Sequence, residues 1–294
     1  WLATGRCLML SNKVSEIMTT AVITAGASST IFEVMEMMAA RNIGGVIITE
    51  DQLPVGIFTE QDVLKRVMNK KLEPKKTGIK RVMTSPIRGV PKETHIIEAL
   101  GRMYKAKFRH LLVRGEKRAI VGMVSMRNIL KFAVELGQGL TESRTVGSIM
   151  SRDITTVEGS QSIYETIELM VKKNTACVIV LIEGKPKGIF TERDVLKRVA
   201  IKNMDTKNTP VREVITTDVV TMPHTALIGA VLSELYRRGF RNMPIQGEEG
   251  KIVGIVSLAD VLQYAGALDV DEKVRQTWKE IQEFWESEEH YTPG

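Results

Sequence analysis

Gly188-Ile189-Phe190-Thr191-Glu192-Arg193-Asp194 decides the fold, because it occurs in four versions. The others are Gly56-Ile57-Phe58-Thr59-Glu60-Gln61-Asp62, Gly122-Met123-Val124-Ser125-Met126-Arg127-Asn128 and Gly254-Ile255-Val256-Ser257-Leu258-Ala259-Asp260. The hydroxyl residues Thr59, Ser125, Thr191 and Ser257 stand 66 residues apart at each step. One heptapeptide carries little information, but four at a fixed period are the signature of a repeat architecture. A second mark opens each unit: Ile17-Met18-Thr19, Val82-Met83-Thr84, Ile149-Met150-Ser151 and Val214-Ile215-Thr216. The units run over 12–70, 78–137, 145–202 and 210–268.

A longer period of 132 residues lies over the shorter one. Thr59 to Val67 matches Thr191 to Val199, Asn42 matches Asn174, and Pro54 matches Pro186. Phe108-Arg109 matches Phe240-Arg241, and Pro91 matches Pro223. The chain reads as a two-repeat module duplicated whole, 12–137 and 145–268, with Gly137-Gln138-Gly139 as a hinge between the copies.

Inside the first unit, Ile31, Val34, Met35 and Met38 follow helical spacing. Val46 to Thr49 is a short β-branched strand, and 50–54 holds turn formers. Val55 to Phe58 is the returning strand of a hairpin. Thr59 opens a second helix with Val63, Leu64 and Val67 on its apolar face, and a short strand follows Met18-Thr19. The unit is therefore β-α-β-β-α, a mixed α/β fold. A single unit this small buries too little to be stable, so two should pack sheet to sheet with their helices outside. Beyond the repeats, Val274, Trp278, Ile281 and Trp285 predict an amphipathic helix in 269–294 that packs on the repeats or docks on a partner or a second copy.

The 294 residues are 43% hydrophobic, and no run approaches the ~18 apolar residues of a membrane span. The first ten residues lack a signal-peptide pattern, so a cytoplasmic protein is expected. Cys7 and Cys177 build neither a disulfide framework nor a zinc site, and Cys177 reads as a buried apolar residue. The net charge of +6 permits an anionic partner. The densest basic run, Lys65 to Arg81, reads as a solvated linker or a phosphate-backbone patch. No Ser-His-Asp order, H-E-x-x-H, P-loop or C-x-x-C is present, so no catalytic residue and no metal site is expected.

The heptapeptide puts Thr or Ser where a strand turns into a helix, with Asp or Asn three residues on. That is a capping box, in which the hydroxyl accepts from a free helix N–H. It is also an anion site, because a helix N-terminus presents unpaired N–H groups to a phosphate. Either reading fits the residues alone. The Gly-h-h-[Ser/Thr]-x-x-[Asp/Asn] ending, the h-Met-Thr opening and the paired period resemble the CBS domain family, whose domains pair into Bateman modules. Four such repeats resemble the disc of the AMP-activated kinase gamma subunit.

The resemblance covers 12–268 and implies an adenosine ligand, AMP, ADP or ATP, with S-adenosyl methionine as an alternative. It implies ribose contacts from Asp62, Asp194 and Asp260, with Asn128 departing from the pattern because it lacks the charge. It further implies that Thr59, Ser125, Thr191 and Ser257 assist, and that backbone near Val22, Ile87, Ile154 and Val219 meets the adenine. Arg109 and Arg241 are candidate phosphate clamps, since the guanidinium fork matches phosphate geometry. They precede the central strands of the even repeats, whereas Ile43-Gly44-Gly45 and Thr175-Ala176-Cys177 supply no cation in the odd ones. The expected function is a nucleotide-sensing regulator of a separate protein. The competing readings are a ligand-independent interaction or dimerisation module and a basic nucleic-acid binder.

Overall fold

The computed structural model describes residues 12–106, 108–116, 119–136 and 144–261. The Gly137 hinge, Lys107, Cys7 and the 269–294 segment lie outside them. In the first repeat, β1 (Thr24–Gly26) pairs in parallel with β2 (Gly45–Glu50), and β2 pairs antiparallel with β3 (Leu53–Thr59). Helix α1 (Ile31–Arg41) crosses between the first two strands. Thr30 caps it in a capping box with Glu33, and Asn42 ends it in the left-handed conformation (φ 53°). The hairpin turns through Asp51 (φ 48°) and Gln52 (φ 64°), the twist that matches two strands joined tightly.

The other repeats build the same three-stranded sheet. Their strands are β4 (Gly89–Pro91), β5 (His110–Arg114) and β6 (Ile120–Ser125); β7 (Thr156–Glu158), β8 (Cys177–Ile182) and β9 (Lys185–Thr191); and β10 (Met222–Pro223), β11 (Asn242–Gln246) and β12 (Ile252–Ser257). The expected β-α-β-β-α order holds.

One local feature was not foreseen. After an α-helical turn at Glu60–Asp62, the second helix of repeat one continues as a π-helix through Val63–Met68. Repeat three does the same, with Glu192–Asp194 followed by Val195–Ala200. The wider turn still buries Val63, Leu64 and Val67. Hydrophobic spacing alone does not separate a π-turn from an α-turn over so short a run.

Repeats join in two ways. Within a module, the opening of each repeat bonds to the last strand of its neighbour. Thr19 bridges Met123, Ile57 bridges Thr84, Ser151 bridges Ile255 and Ile189 bridges Thr216. These bridges explain the two sequence marks together. A Cβ on Gly56 would lie 2.6 Å from Met83 Sδ, and one on Gly122 would lie 2.7 Å from Met18 Sδ and 2.9 Å from the Thr19 carbonyl. Ile215 crowds Gly188 and Met150 crowds Gly254 in the same way.

Between modules, the joint is helical. Buried Ile31, Val34, Met35 and Val67 of repeat one share a core with Ile163, Ile167, Val195 and Val199 of repeat three. Repeats two and four share a second core, in which Ile96, Leu100, Ile129 and Leu130 meet Ile228, Val231 and Leu232. The expectation that the helices lie outside is thus corrected: their apolar stripes are too wide to leave in water and are buried against the other module. Four joints close the repeats into a disc. Lys65 Nζ donates to Asn174 Oδ1 (2.6 Å) and Lys197 Nζ to Asn42 Oδ1 (2.7 Å), so the two left-handed helix ends are tied crosswise.

Several cations of the basic run are engaged. Besides Lys65, Lys71 lies over the Tyr164 ring and Lys75 over the Phe32 ring, while Lys76 pairs with Glu73 and Lys80 with Glu50. Cys177 is buried, and its thiol is pushed up to about 12 by burial and by Glu192. No helix among the described residues is long and apolar enough to cross a membrane.

Adding one methyl at Gly254 forces a backbone carbonyl and Met150 to move, since the Cβ would lie 3.0 Å from the Ser151 oxygen. Gly254→Ala is expected to cost ~1–3 kcal/mol, the usual range for overpacking. Thermal unfolding reads this directly, and an unchanged midpoint would contradict the close-approach explanation.

Candidate functional site

All four heptapeptides fold as capping boxes. Asp62 Oδ2 accepts from Thr59 N (2.9 Å) and Thr59 Oγ1 (2.7 Å), and Asp194 does the same with Thr191. Asn128 Oδ1 accepts from Ser125 N at 2.9 Å, and Asp260 Oδ2 from Ser257 N at 2.8 Å. The odd and even repeats then part company.

In the odd repeats the acid is closed in. Asp62 and Asp194 are only 6% and 8% exposed. The second oxygen of Asp62 faces Thr84 Oγ1 (3.3 Å) and Arg66 Nε (3.4 Å), and that of Asp194 faces Arg198 Nε (3.4 Å). Arg66 also donates to the carbonyls of Val82 (3.0 Å) and Met83 (2.8 Å), fixing the opening of the next repeat. Burial raises both acids above the usual aspartate value against the hydrogen bonds from Thr59 and Thr191. Arg66 and Arg198 were visible in the shared Lys-Arg-Val ending but were not read as partners of the acid. Phe132 stands at the matching place in repeat two.

In the even repeats the motif is open. A cavity of about 1080 Å³ runs between the repeats and is bordered by Ser125 and Asn128 on one side and Ser257 and Asp260 on the other. Asn128 Nδ2 faces Thr19 Oγ1 at 3.3 Å. Val22 and Gly44 of repeat one and Ala176 of repeat three line the same cavity. Ile87 sits with Asp62 and Arg109 in a smaller cleft. Ile154 and Val219 are half-buried just ahead of β7 and β10.

Arg109 and Arg241 do face this cavity, but neither is idle. Arg109 Nη2 donates to Glu192 Oε2 at 2.5 Å, and Arg241 pairs with Glu60. Each pair crosses from an even repeat of one module to an odd repeat of the other. The glutamates are held from behind, since Glu60 N donates to the Gly44 carbonyl and Glu192 N to the Ala176 carbonyl, both at 3.1 Å. Gly44 and Ala176 leave the room that a larger side chain would fill. A Cβ at Gly44 would clash with the Arg241 guanidinium.

Arg193 adds a second cation on Glu60 (3.3 Å). Arg127 donates to the Gly239 carbonyl at 2.7 Å. Burial, with Arg241 and Arg109, pushes His110 down to about 3, so it stays neutral. Sequence reading missed Glu60 and Glu192, although a signal was present. Glutamate occupies the fifth position of the heptapeptide only in the odd repeats, and arginine precedes the central strand only in the even ones. Among the described residues, no group of three or more His, Cys, Asp or Glu could hold a metal ion.

Glu60 is 2% exposed. Burial raises its pKa, yet Arg241 and Arg193 outweigh that and hold it below the usual glutamate value. A depressed carboxylate contributes stability above its unfolded pKa and loses it as pH falls through the folded one. Glu60→Gln is therefore expected to lower stability at neutral pH by ~1–3 kcal/mol. The figure is kept below that of a fully buried pair because both arginines retain some solvent. The gap to wild type should begin to shrink as pH falls below about 4.5, where an ordinary glutamate protonates, and close once pH has fallen through the lower folded value of Glu60. Denaturant titrations across pH measure both effects, and a pH-independent gap would contradict the ion-pair account.

A family model for the CBS domain matches residues 14–69, 79–135, 146–201 and 211–267. An Arabidopsis thaliana protein, CBS domain-containing protein CBSCBSPB1, is 25% identical over 92% of this chain and 58% of its own length. The chain spans about half the length of the curated relatives it matches. Among solved structures, protein MJ1225 from Methanocaldococcus jannaschii matches 86% of this chain and 99% of its own, with TM-score 0.74 and 16% identity. A conserved Pyrococcus horikoshii protein has the same coverage, with TM-score 0.60 and 18% identity. These two likenesses concern the fold.

Proposed function

The chain belongs to the CBS domain family, and from that premise we propose that it binds adenosine nucleotides and regulates a separate protein. AMP, ADP and ATP are the ligands in view. One observation carries the reading: the open motifs of repeats two and four border a cavity large enough for a nucleotide, and Arg109 and Arg241 line the same cavity. Asn128 and Asp260 would meet ribose hydroxyls, with Ser125 and Ser257 at the helix start. Arg109 and Arg241 would serve as phosphate clamps.

Thr59, Asp62, Thr191 and Asp194 act first as helix caps, since their acids are closed in by arginine. Ligand entry would pull Arg109 or Arg241 from its glutamate and so alter the joint between modules. A partner protein reads that change, and its size is bounded by the ligand's differential affinity for the two arrangements. S-adenosyl methionine shares the ribose contact but brings no phosphate for the arginines. The chain itself carries out no reaction in this reading.

A second reading is favoured by one fact. Glu60 and Glu192 already satisfy both arginines, as expected of an interaction module that needs no ligand.

Thermal unfolding with AMP, ADP, ATP and S-adenosyl methionine separates the two. Ligand at about 100 times its dissociation constant stabilises by ~2.7 kcal/mol. A shift is expected with at least one nucleotide, diminished in Arg241→Ala and in Asp260→Ala. No shift with any ligand, in protein freed of carried-over nucleotide, would leave the interaction module as the better account.

A further inference from the structure

The four bridges that join repeats within the modules share one backbone pattern but not one set of side chains. Two of them carry a clamp. Arg66 stands four residues after Asp62 and reaches forward to the opening of repeat two. It donates to the carbonyls of Val82 (3.0 Å) and Met83 (2.8 Å), while its Nε faces Asp62 at 3.4 Å. Thr84 Oγ1 of the same opening donates to Asp62 at 3.3 Å. Arg198 repeats the arrangement in the second module, on the carbonyls of Val214 (3.0 Å) and Ile215 and beside Asp194 at 3.4 Å. Each guanidinium thus ties acceptors on two repeats together. Both keep solvent, so their charge is screened, and the fork of donors makes the tie more than the ion pair does.

The other two bridges lack the clamp. Phe132 and Tyr264 stand in the sequence where the arginines would be in repeats two and four. Phe132 packs against the core that these repeats share. No donor among the described residues reaches the carbonyls of Ile17, Met18, Ile149 or Met150, the counterparts in repeats one and three of the four carbonyls that the arginines hold. The opening of repeat one is tied to repeat two by Asn128 Nδ2 on Thr19 Oγ1 (3.3 Å) and by the exposed pair of Lys13 with Glu93.

The clamps fall on one side of the disc. The openings of repeats two and four place Ile79, Val82, Val211 and Val214 in the core shared by repeats one and three. The openings of repeats one and three place Val14 and Val146 in the core shared by repeats two and four. The clamped openings therefore brace the odd side, and the unclamped ones brace the even side.

We propose that the disc is locked on its odd side and opens on its even side. Arg66 and Arg198 are positioning residues that pin the openings of repeats two and four, whereas the openings of repeats one and three detach from their neighbours while the rest of the chain stays folded. Detachment withdraws Val14 or Val146 from the even core, and so loosens the joint between modules on that side alone. Local opening of this kind draws on the least braced contacts of a fold. It is a property of the chain without ligand and does not rest on the nucleotide reading.

The bridges themselves supply matched probes, since each exchanges two backbone hydrogen bonds: Thr19 with Met123, Ile57 with Thr84, Ser151 with Ile255 and Ile189 with Thr216. Hydrogen exchange of the ligand-free full chain, read amide by amide by nuclear magnetic resonance and corrected for intrinsic rates, tests the inference. Thr19, Met123, Ser151 and Ile255 are expected to exchange at least about tenfold faster than Ile57, Thr84, Ile189 and Thr216, the scale of one missing charged hydrogen bond. Arg66→Gln should speed Ile57 and Thr84 alone, and Arg198→Gln should speed Ile189 and Thr216 alone. The double variant Asn128→Asp with Phe132→Arg installs the clamp in repeat two, and should slow Thr19 and Met123. A loss of folding cannot produce that added protection.

Equal exchange at all four bridges of the wild type would overturn the inference. So would an Arg66→Gln variant that speeds all eight amides alike, because the arginine would then serve only general stability.

Discussion

The structure depends on the close approach between the opening segment of one repeat and the glycine strand of its neighbour. Met18, Met83 and Met150 lie where the side chain of Gly122, Gly56 or Gly254 would be, and Ile215 does the same at Gly188. Each repeat therefore completes its neighbour's sheet edge, and no repeat is whole alone. An edge strand left open is a pairing hazard; here each is covered by two antiparallel bonds from the next repeat, as between Thr19 and Met123 at 2.9 Å each. The same approach brings Thr84 to Asp62 and Thr19 to Asn128, so the contact that pairs the repeats also builds the motif sites.

On that frame a second layer of contacts joins the modules, and it is chemically mixed. Apolar helix faces supply the bulk of the joint, in two cores that each draw on both modules. Toward the middle the joint becomes ionic, with Arg109 on Glu192 and Arg241 and Arg193 on Glu60. Buried ion pairs are a poor source of net stability because desolvation offsets their attraction. Their position is more informative than their strength. They occupy the seam that an anionic ligand in the cavity would contest, and under the proposed function a phosphate replacing a carboxylate there would make the joint responsive to ligand.

Local structure was legible in the residues because its causes are local. The capping hydroxyls and the hairpin before Val55 each follow from neighbours a few positions apart. The cross-module contacts were not, because their partners are 83 residues apart for Arg109 and Glu192 and 181 for Arg241 and Glu60. Arg109 and Arg241 were singled out as candidate phosphate clamps, and both line the cavity. Their carboxylates were overlooked because Glu60 and Glu192 stand inside a motif whose acid three residues from the hydroxyl drew the attention. The closure of Asp62 and Asp194 by Arg66 and Arg198 escaped for a different reason: the pairs stand at i, i+4, the ordinary spacing of helical neighbours, but the basic residues of these helices were read as facing water. The helices were expected outside because a two-repeat module was considered without the second module against it.

The central claim is that a ligand in the cavity acts on the joint between modules, and hydrogen–deuterium exchange of the full chain with and without AMP or ATP tests it most directly. The account predicts changed exchange in both modules at once, around Gly44 to Glu60, Ala176 to Glu192, and the starts of β5 and β11 that carry Arg109 and Arg241. Changes confined to the repeats of one module, with the Glu60 and Glu192 segments unaltered, would contradict it.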